Sequence, residues 1–403
     1  MKYAKITLNT KHKGLAMIER TITPLLKRLA EYFPVVTIMG PRQSGKTTLA
    51  KSIFKNYAYV NLESRPDRQL AEEDPIAFFK QYRAPVIIDE IQRVPDLLST
   101  IQVLVDQEKK KGAYILTGSH QPALHQEIAQ SLAGRTAIAE LLPLSIAELT
   151  RAGIQLERDQ YILNGFMPRL YDENIPSDLL YPNYYNTYVE KDVRQLINLA
   201  NQNAFETFLK LLAGRIGQVV NLNSMAGDIG VSSTTLASWL SVLEASYIVF
   251  RLPCYFNNFG KRLIKSPKIY FTEIGLATNL LGIEKLEQVA RDPIFGGLFE
   301  NMVVLEALKA RFNAGKQPEL YYFRDHNGLE VDLILNEGRT LRPFEIKSAM
   351  TWNSSFASNL KKFMKLSDEI HDPIVIYAGD LTPETESAKY INFRDTAKAI
   401  TPK

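Results

Sequence analysis

Val35-Val-Thr-Ile-Met-Gly40-Pro-Arg-Gln-Ser-Gly45-Lys-Thr-Thr-Leu-Ala50 is the stretch that decides the fold. Val35–Met39 reads as a buried strand, Gly40 to Thr47 fits G-x-x-x-x-G-K-[ST], and Thr48–Phe54 carries a helical pattern. Strand, loop and helix in that order form a phosphate cradle. Gly40 and Gly45 allow tight turns that aim successive backbone amides at phosphate oxygens, close to the positive end of the following helix. The nucleotide-binding set is therefore Gly40, Pro41, Arg42, Gln43, Ser44, Gly45, Lys46, Thr47 and Thr48. Within it, Lys46 adds a point charge for the outer phosphates. Thr47 offers a hydroxyl to magnesium, which bridges phosphate oxygens and offsets charge developing during phosphoryl transfer.

Outward from the loop, short apolar runs at Tyr57–Leu62, Val86–Ile88, Ala113–Leu116 and Thr136–Leu141 alternate with helical stretches. That alternation predicts an α/β domain with a doubly wound parallel sheet. The runs are apolar nearly end to end, as strands covered on both faces should be. Pro85-Val-Ile-Ile-Asp89-Glu90 is such a strand ending in two acids. Asp89 is suited to hold magnesium through water, and Glu90 to orient and polarise the attacking water, so hydrolysis is expected beyond binding. Ala113-Tyr-Ile-Leu-Thr-Gly-Ser119 ends in a polar tip, where Ser119, with Thr117 second, is the candidate to align that water. Arg135 enters the fifth strand and is the candidate cation for a phosphate, in cis or in a neighbouring subunit. No [NT]-K-x-D element for guanine occurs, which favours ATP.

The chain has 403 residues, enough for two or three domains. Hydrophobic residues at 45% and charged residues at 23% are ordinary for a folded protein, and a net charge of +4 permits a nucleic-acid partner without requiring one. The single cysteine, Cys254, excludes an intrachain disulfide and a zinc site built from several thiolates, as expected in the cytoplasm. No apolar run is long enough to span a membrane. Composition and punctuation divide the chain into a basic leader (1–20), the phosphate-loop domain (21–145), a tyrosine-rich helical connector or lid (146–203), a winged-helix-like unit (204–290) and a C-terminal α+β unit (291–403). The tyrosines between Tyr184 and Tyr188 read as core.

Gly40–Thr47, Ile87-Ile-Asp-Glu90, Leu116-Thr-Gly-Ser119, Ser131-Leu-Ala-Gly-Arg135 with Pro143-Leu-Ser145, and Tyr184–Asp192 together resemble the large prokaryotic family of AAA-type ATPases that join a P-loop domain to an uncharacterised C-terminal region. The resemblance covers nearly the whole chain and continues in Gly297–Asn301 and Glu330–Lys347. It implies ATP binding and hydrolysis in a prokaryotic cytoplasm and names no client.

Glu330-Val-Asp332-Leu-Ile-Leu followed by Pro343-Phe-Glu345-Ile-Lys347 places one carboxylate on one strand and a carboxylate and lysine on one face of the next. This looks like a PD-(D/E)xK nuclease core. Asp332 and Glu345 would hold a second Mg2+ or Mn2+, Lys347 would stabilise the scissile phosphate, and Glu300 would be an auxiliary acid. Ion-paired charges on a strand face are the alternative. In the winged-helix-like unit, the candidate recognition helix Thr234–Ala245 carries no Lys or Arg, which opposes groove reading. The Arg251–Thr272 stretch, with Arg251, Lys261, Arg262, Lys265 and Lys268 and no acid, offers a phosphate-contacting wing. The partners expected are thus ATP, with DNA and a protein client both open, and homo-oligomerisation left open by Arg135. Two functions stand side by side: a magnesium-dependent ATPase controlling a nuclease-like region in a DNA transaction, and a nucleotide-gated interaction switch on an inactive scaffold.

Overall fold

The computed structural model describes residues 17–119, 127–128, 130–193, 202–256 and 266–401. Strands β1 (Val35–Gly40), β2 (Ala58–Asn61), β3 (Val86–Asp89), β4 (Tyr114–Ser119) and β5 (Thr136–Glu140) form a parallel sheet in the order β2-β3-β4-β1-β5. Alternate residues of β1 serve two separate cores, because successive side chains point to opposite faces. Val35 and Met39 pack with Leu97, Ile101 and Phe78 on one side. Val36 and Ile38 pack with Leu26, Leu49 and Ala50 on the other. Helices Leu97–Glu108 and Pro75–Gln81 thus cover one face, and Thr23–Tyr32 and Lys46–Ile53 the other. Double coverage explains why the central strands are apolar throughout, whereas the edge strand β5 leaves Ile138 exposed. Gly40 pairs in register with Ser119, and Asp89 ends β3, so the phosphate loop, the acids and the polar tip gather at the carboxyl ends of the strands. Open α/β sheets bind ligands at that edge.

After the sheet come helices Ile146–Arg151, Arg158–Asn164, Pro168–Asp172 and Ser177–Tyr184, then Gln202–Ala213, Leu222–Ile229 and Ser233–Ala245. An antiparallel pair follows, β6 (Val249–Leu252) with β7 (Lys268–Phe271). Asn221 caps helix Leu222–Ile229, and Ser232 caps helix Ser233–Ala245 through the Thr235 amide, so polar caps fix both starts. Helix Phe295–Asn313 leads into β8 (Leu320–Arg324), β9 (Glu330–Asn336), β10 (Leu341–Lys347), β11 (Ile374–Tyr377) and β12 (Lys389–Asn392), a mixed sheet in consecutive order. β8, β9 and β10 run antiparallel to one another, while β10, β11 and β12 are parallel.

Beyond the first sheet, the packing crosses the compositional boundaries. A single apolar cluster runs from Ile18 and Leu142 through Tyr161, Phe205 and Trp239 to helix Phe295–Asn313 and on to Leu333 and Phe344. Tyr184 and Tyr188 belong to it, and the Tyr188 hydroxyl donates to the Ser246 carbonyl at 3.0 Å. Helix Phe295–Asn313 is buried on nearly every side, which is why its sequence lacks an amphipathic stripe. Even its charges are internal. Lys309 pairs with Glu306 at 2.9 Å and donates to the Leu144 carbonyl, while Glu306 accepts the Ile146 amide. Those contacts clamp the C-terminal half onto the loop that leaves the first sheet. No helix among the described residues is long and apolar enough to cross a membrane.

Candidate functional site

Gly40 sits where a side chain would collide: an added Cβ would stand 2.2 Å from the Leu141 carbonyl oxygen. Gly45 has φ +92°, in the left-handed region that glycine tolerates, and turns the chain directly into helix Lys46–Ile53. The Lys46 ammonium donates to the carbonyls of Gly40 at 3.0 Å and Pro41 at 2.7 Å, which keeps it inside the loop. Burial lowers its pKa to about 8, against the opposing pull of Glu90 and Asp89.

Thr47 donates to the Asp89 carboxylate, 2.9 Å from each oxygen. Thr117 also donates to Asp89, and Tyr59 does so at 3.0 Å. A buried carboxylate held by three hydroxyls is a preorganised acceptor. Its oxygens and the Thr47 hydroxyl are the donor type that magnesium takes, so the residues present fit the ion. Glu90 has φ +61°, unusual for a residue with a side chain, and accepts from Gln92. It lines a cleft of about 320 Å3 together with Lys46, Thr47, Pro168, Arg169 and Asp172. That volume is at the small end for small-molecule sites. The Ser119 hydroxyl is buried beside Gly40 with no hydrogen-bond partner among the described residues, which leaves it free to meet a ligand or water.

Tyr59, Arg169 and Arg20 are among the residues of this site that were not identified from the sequence. Tyr59 lies on β2, and only the β2–β3 pairing brings it to Asp89. Arg169 lies on helix Pro168–Asp172. Arg20 falls in the stretch read as a loose basic leader, of which residues 1–16 lie outside the described residues. It is buried, and its guanidinium donates to the carbonyls of Ser44 at 2.8 Å and Leu142 at 2.6 Å. It also pairs with buried Glu148 at 3.2 Å. Burial opposes ionisation of Glu148, but Arg20 and the amides of Thr21 and Ser145 outweigh it and hold the carboxyl below its ordinary range. Arg42, in the loop itself, lies over the Tyr188 ring, 5.6 Å from its centroid. Arg135 is a correction. Its carbonyl accepts the Val35 amide at the start of β1, the end of the sheet away from Gly40, and its side chain pairs with Asp106 at 2.7 Å. Within one chain it cannot reach the phosphate loop.

Residues 32–150 match the model of a family described as an AAA domain. Residues 155–287 and 295–395 match two domains of unknown function, DUF8612 and DUF4143. An uncharacterised protein of Mycobacterium tuberculosis is 31% identical over 351 residues, covering 86% of this chain and 78% of that protein. The chain belongs to the same family as this mycobacterial protein, and it carries an AAA domain. A more distant relative of this AAA-domain protein, an uncharacterised protein of Methanocaldococcus jannaschii, is 24% identical over 76% of the chain and 73% of its own length. Among solved structures, a Walker-type ATPase of Pyrococcus abyssi covers 66% of the chain and 96% of its own, with 13% identity and a TM-score of 0.42. AMPPCP-bound DnaA from Aquifex aeolicus covers 55% and 85%, with 15% identity and a TM-score of 0.28.

In the C-terminal half of this AAA-domain protein, the structure does bring together the acids expected there. Lys347 pairs with Glu345 at 2.7 Å and lies 3.8 Å from Asp332, whose carboxylate accepts the Ile346 amide at 2.8 Å. Burial pushes Glu345 up to about 8. Burial likewise pushes Glu300 up to about 7, although Lys268 opposes the shift. The expected second Mg2+ or Mn2+ is not supported by this geometry. No group of three or more acidic, histidine or cysteine side chains among the described residues is arranged to hold a metal ion. Glu345 and Glu300 are instead paired with Lys347 and Lys268, so cations of the chain itself already occupy the acids. Of the basic stretch, Lys261, Arg262 and Lys265 lie outside the described residues. Lys268 is buried and ion-paired, hence unavailable to a DNA backbone, and Arg251 pairs with Glu244.

Proposed function

We propose that this chain hydrolyses ATP with magnesium at the loop Gly40–Thr47, and that nucleotide state controls the C-terminal half. The observation that carries this reading is the Thr47–Asp89 pairing, which joins the cation-binding ends of the loop and of β3 into one oxygen-rich site. Thr47 and Asp89 would hold magnesium there, and the ion would supply positive charge against the transferring group. The amides of the loop bind the phosphates, and Lys46 moves its ammonium from the Gly40 and Pro41 carbonyls to a phosphate oxygen. Glu90, adjacent to Asp89 but turned by its positive φ, orients the attacking water and takes its proton. Ser119 gives that water a second hydrogen-bonding group.

Control of the C-terminal half follows a continuous run of buried polar contacts. Arg20 grips Ser44 and the Leu142 carbonyl, and Lys309 and Glu306 grip Leu144 and Ile146 a few residues on. A displacement of the phosphate loop is therefore felt at helix Phe295–Asn313. Two outputs remain: action on DNA by a nuclease-like region, or gating of a protein partner on an inactive scaffold. The lysine-bonded acids favour the scaffold. The deciding experiment is ATP turnover by the purified chain with and without single- and double-stranded DNA, beside Glu90→Gln. Turnover abolished in Glu90→Gln with binding retained supports the enzyme, and negligible wild-type turnover overturns it. Stimulation by DNA assigns the nucleic-acid output, and its absence assigns the protein partner.

A further inference from the structure

Lys268 opens strand β7 and is 1% exposed. Its ammonium stands 2.9 Å from Glu300 Oε1 on helix Phe295–Asn313 and 2.7 Å from Glu330 Oε1 on β9. The Tyr322 ring lies 5.5 Å away on β8. Two residues along β7, Tyr270 donates to the same Glu300 oxygen at 2.6 Å. The strand therefore meets Glu300 with both a cation and a hydroxyl. Asp332, on β9 with Glu330, faces the cluster from the side of Lys347.

Carboxylates removed from water need a cation or a proton nearby, and a nuclease-type cluster would take a divalent metal ion for that purpose. Here Lys268, from a different structural unit, pairs with Glu300 and with Glu330, two residues before Asp332 on β9, and feels the Asp332 charge as well. An incoming ion would have to displace a buried ammonium already paired with both carboxylates. Repulsion between the two cations at a few ångströms disfavours their sharing the site. We propose that Lys268 is a built-in cation that closes the C-terminal acid cluster to divalent metals and fastens the β6–β7 hairpin to helix Phe295–Asn313 and β9. The cluster is then a clasp between the middle and C-terminal units, and a latent rather than a working metal site. This stands independently of ATP hydrolysis.

The test is Mn2+ binding to the full-length, nucleotide-free chain, read by the electron paramagnetic resonance signal of free Mn2+. It is made in an Asp89→Asn background that silences the nucleotide site. With Lys268 intact, no saturable binding is expected below about 1 mM. In Lys268→Met, whose unbranched apolar side chain fills similar space, one Mn2+ should bind at least about tenfold tighter, since the competing charge is gone. Adding Asp332→Asn should abolish that binding. A folded Lys268→Met chain that binds no Mn2+ overturns the proposal. So does tight binding with Lys268 intact that is lost on Asp332→Asn, a comparison that needs no Lys268 variant and holds even if that variant fails to fold.

Discussion

The Thr47 hydroxyl stands 2.9 Å from both oxygens of the Asp89 carboxylate, although 42 residues separate the two in sequence. The pairing is made by the sheet. β3 and β1 flank β4 in parallel, so the residue after the lysine of the loop and the last residue of β3 emerge at the same edge.

Glu90 can be separated from binding. Glu90→Gln keeps the shape and the Gln92 neighbour but removes the base. Steady-state kinetics should show kcat reduced by ~10²–10⁴-fold with nucleotide affinity nearly unchanged. A parallel loss of affinity measured by calorimetry would assign Glu90 to binding instead.

Lys46 predicts a pH dependence with a definite sign. Its pKa in the folded chain is about 8 against an ordinary 10.5, so between those values the unfolded chain holds more protons. Stability of the nucleotide-free protein should therefore rise with pH across that window. Nucleotide affinity should move the opposite way, because the phosphates need the ammonium, and binding near pH 8.5 should take up a proton. Calorimetry in buffers of different ionisation enthalpy reads that uptake directly. Lys46→Ala should bind far more weakly and take up none.

Arg20 holds the loop through Ser44 and neutralises buried Glu148. Arg20→Ala leaves that carboxylate unpaired, and the expected loss of stability is about 3–5 kcal/mol. Arg20→Ala with Glu148→Gln should recover part of it. If the double variant still binds nucleotide poorly after its melting temperature recovers, the Ser44 contact matters for the loop's shape as well as for the fold.

Tyr59 tests the hydroxyls around Asp89. Tyr59→Phe removes one of three donors and should cost about 1 kcal/mol in magnesium-nucleotide affinity, roughly a fivefold weaker Kd, without loss of the fold. Unaltered affinity would show that Thr47 and Thr117 suffice to hold the carboxylate.

Arg135 provides a contrast. Its partner is Asp106, on helix Leu97–Glu108 and away from the phosphate loop, so Arg135→Ala should leave nucleotide affinity of the isolated chain within about twofold of the wild type. A large loss of turnover that appears only when protomers associate would place the residue against a neighbouring subunit.

The phosphate loop, the Asp89–Glu90 strand end and the five parallel strands were legible in the chain alone, because each rests on local chemistry: glycines that turn, a lysine after them, apolar runs of strand length. The sequence also placed Glu345 and Lys347 together, since residues two apart on a strand share a face. Only the tertiary structure decided what those groups do to each other. Arg20 looked like one more cation in a basic leader until burial against Ser44 and Glu148 gave it a partner. Arg135 looked able to meet a phosphate of its own chain until strand direction put it at the opposite end of the sheet. Lys268 read as part of a wing and proved to be buried among Glu300 and Glu330. In each case the deciding quantity was the distance between residues remote in the chain, set by sheet register and shared burial, which local pattern does not encode.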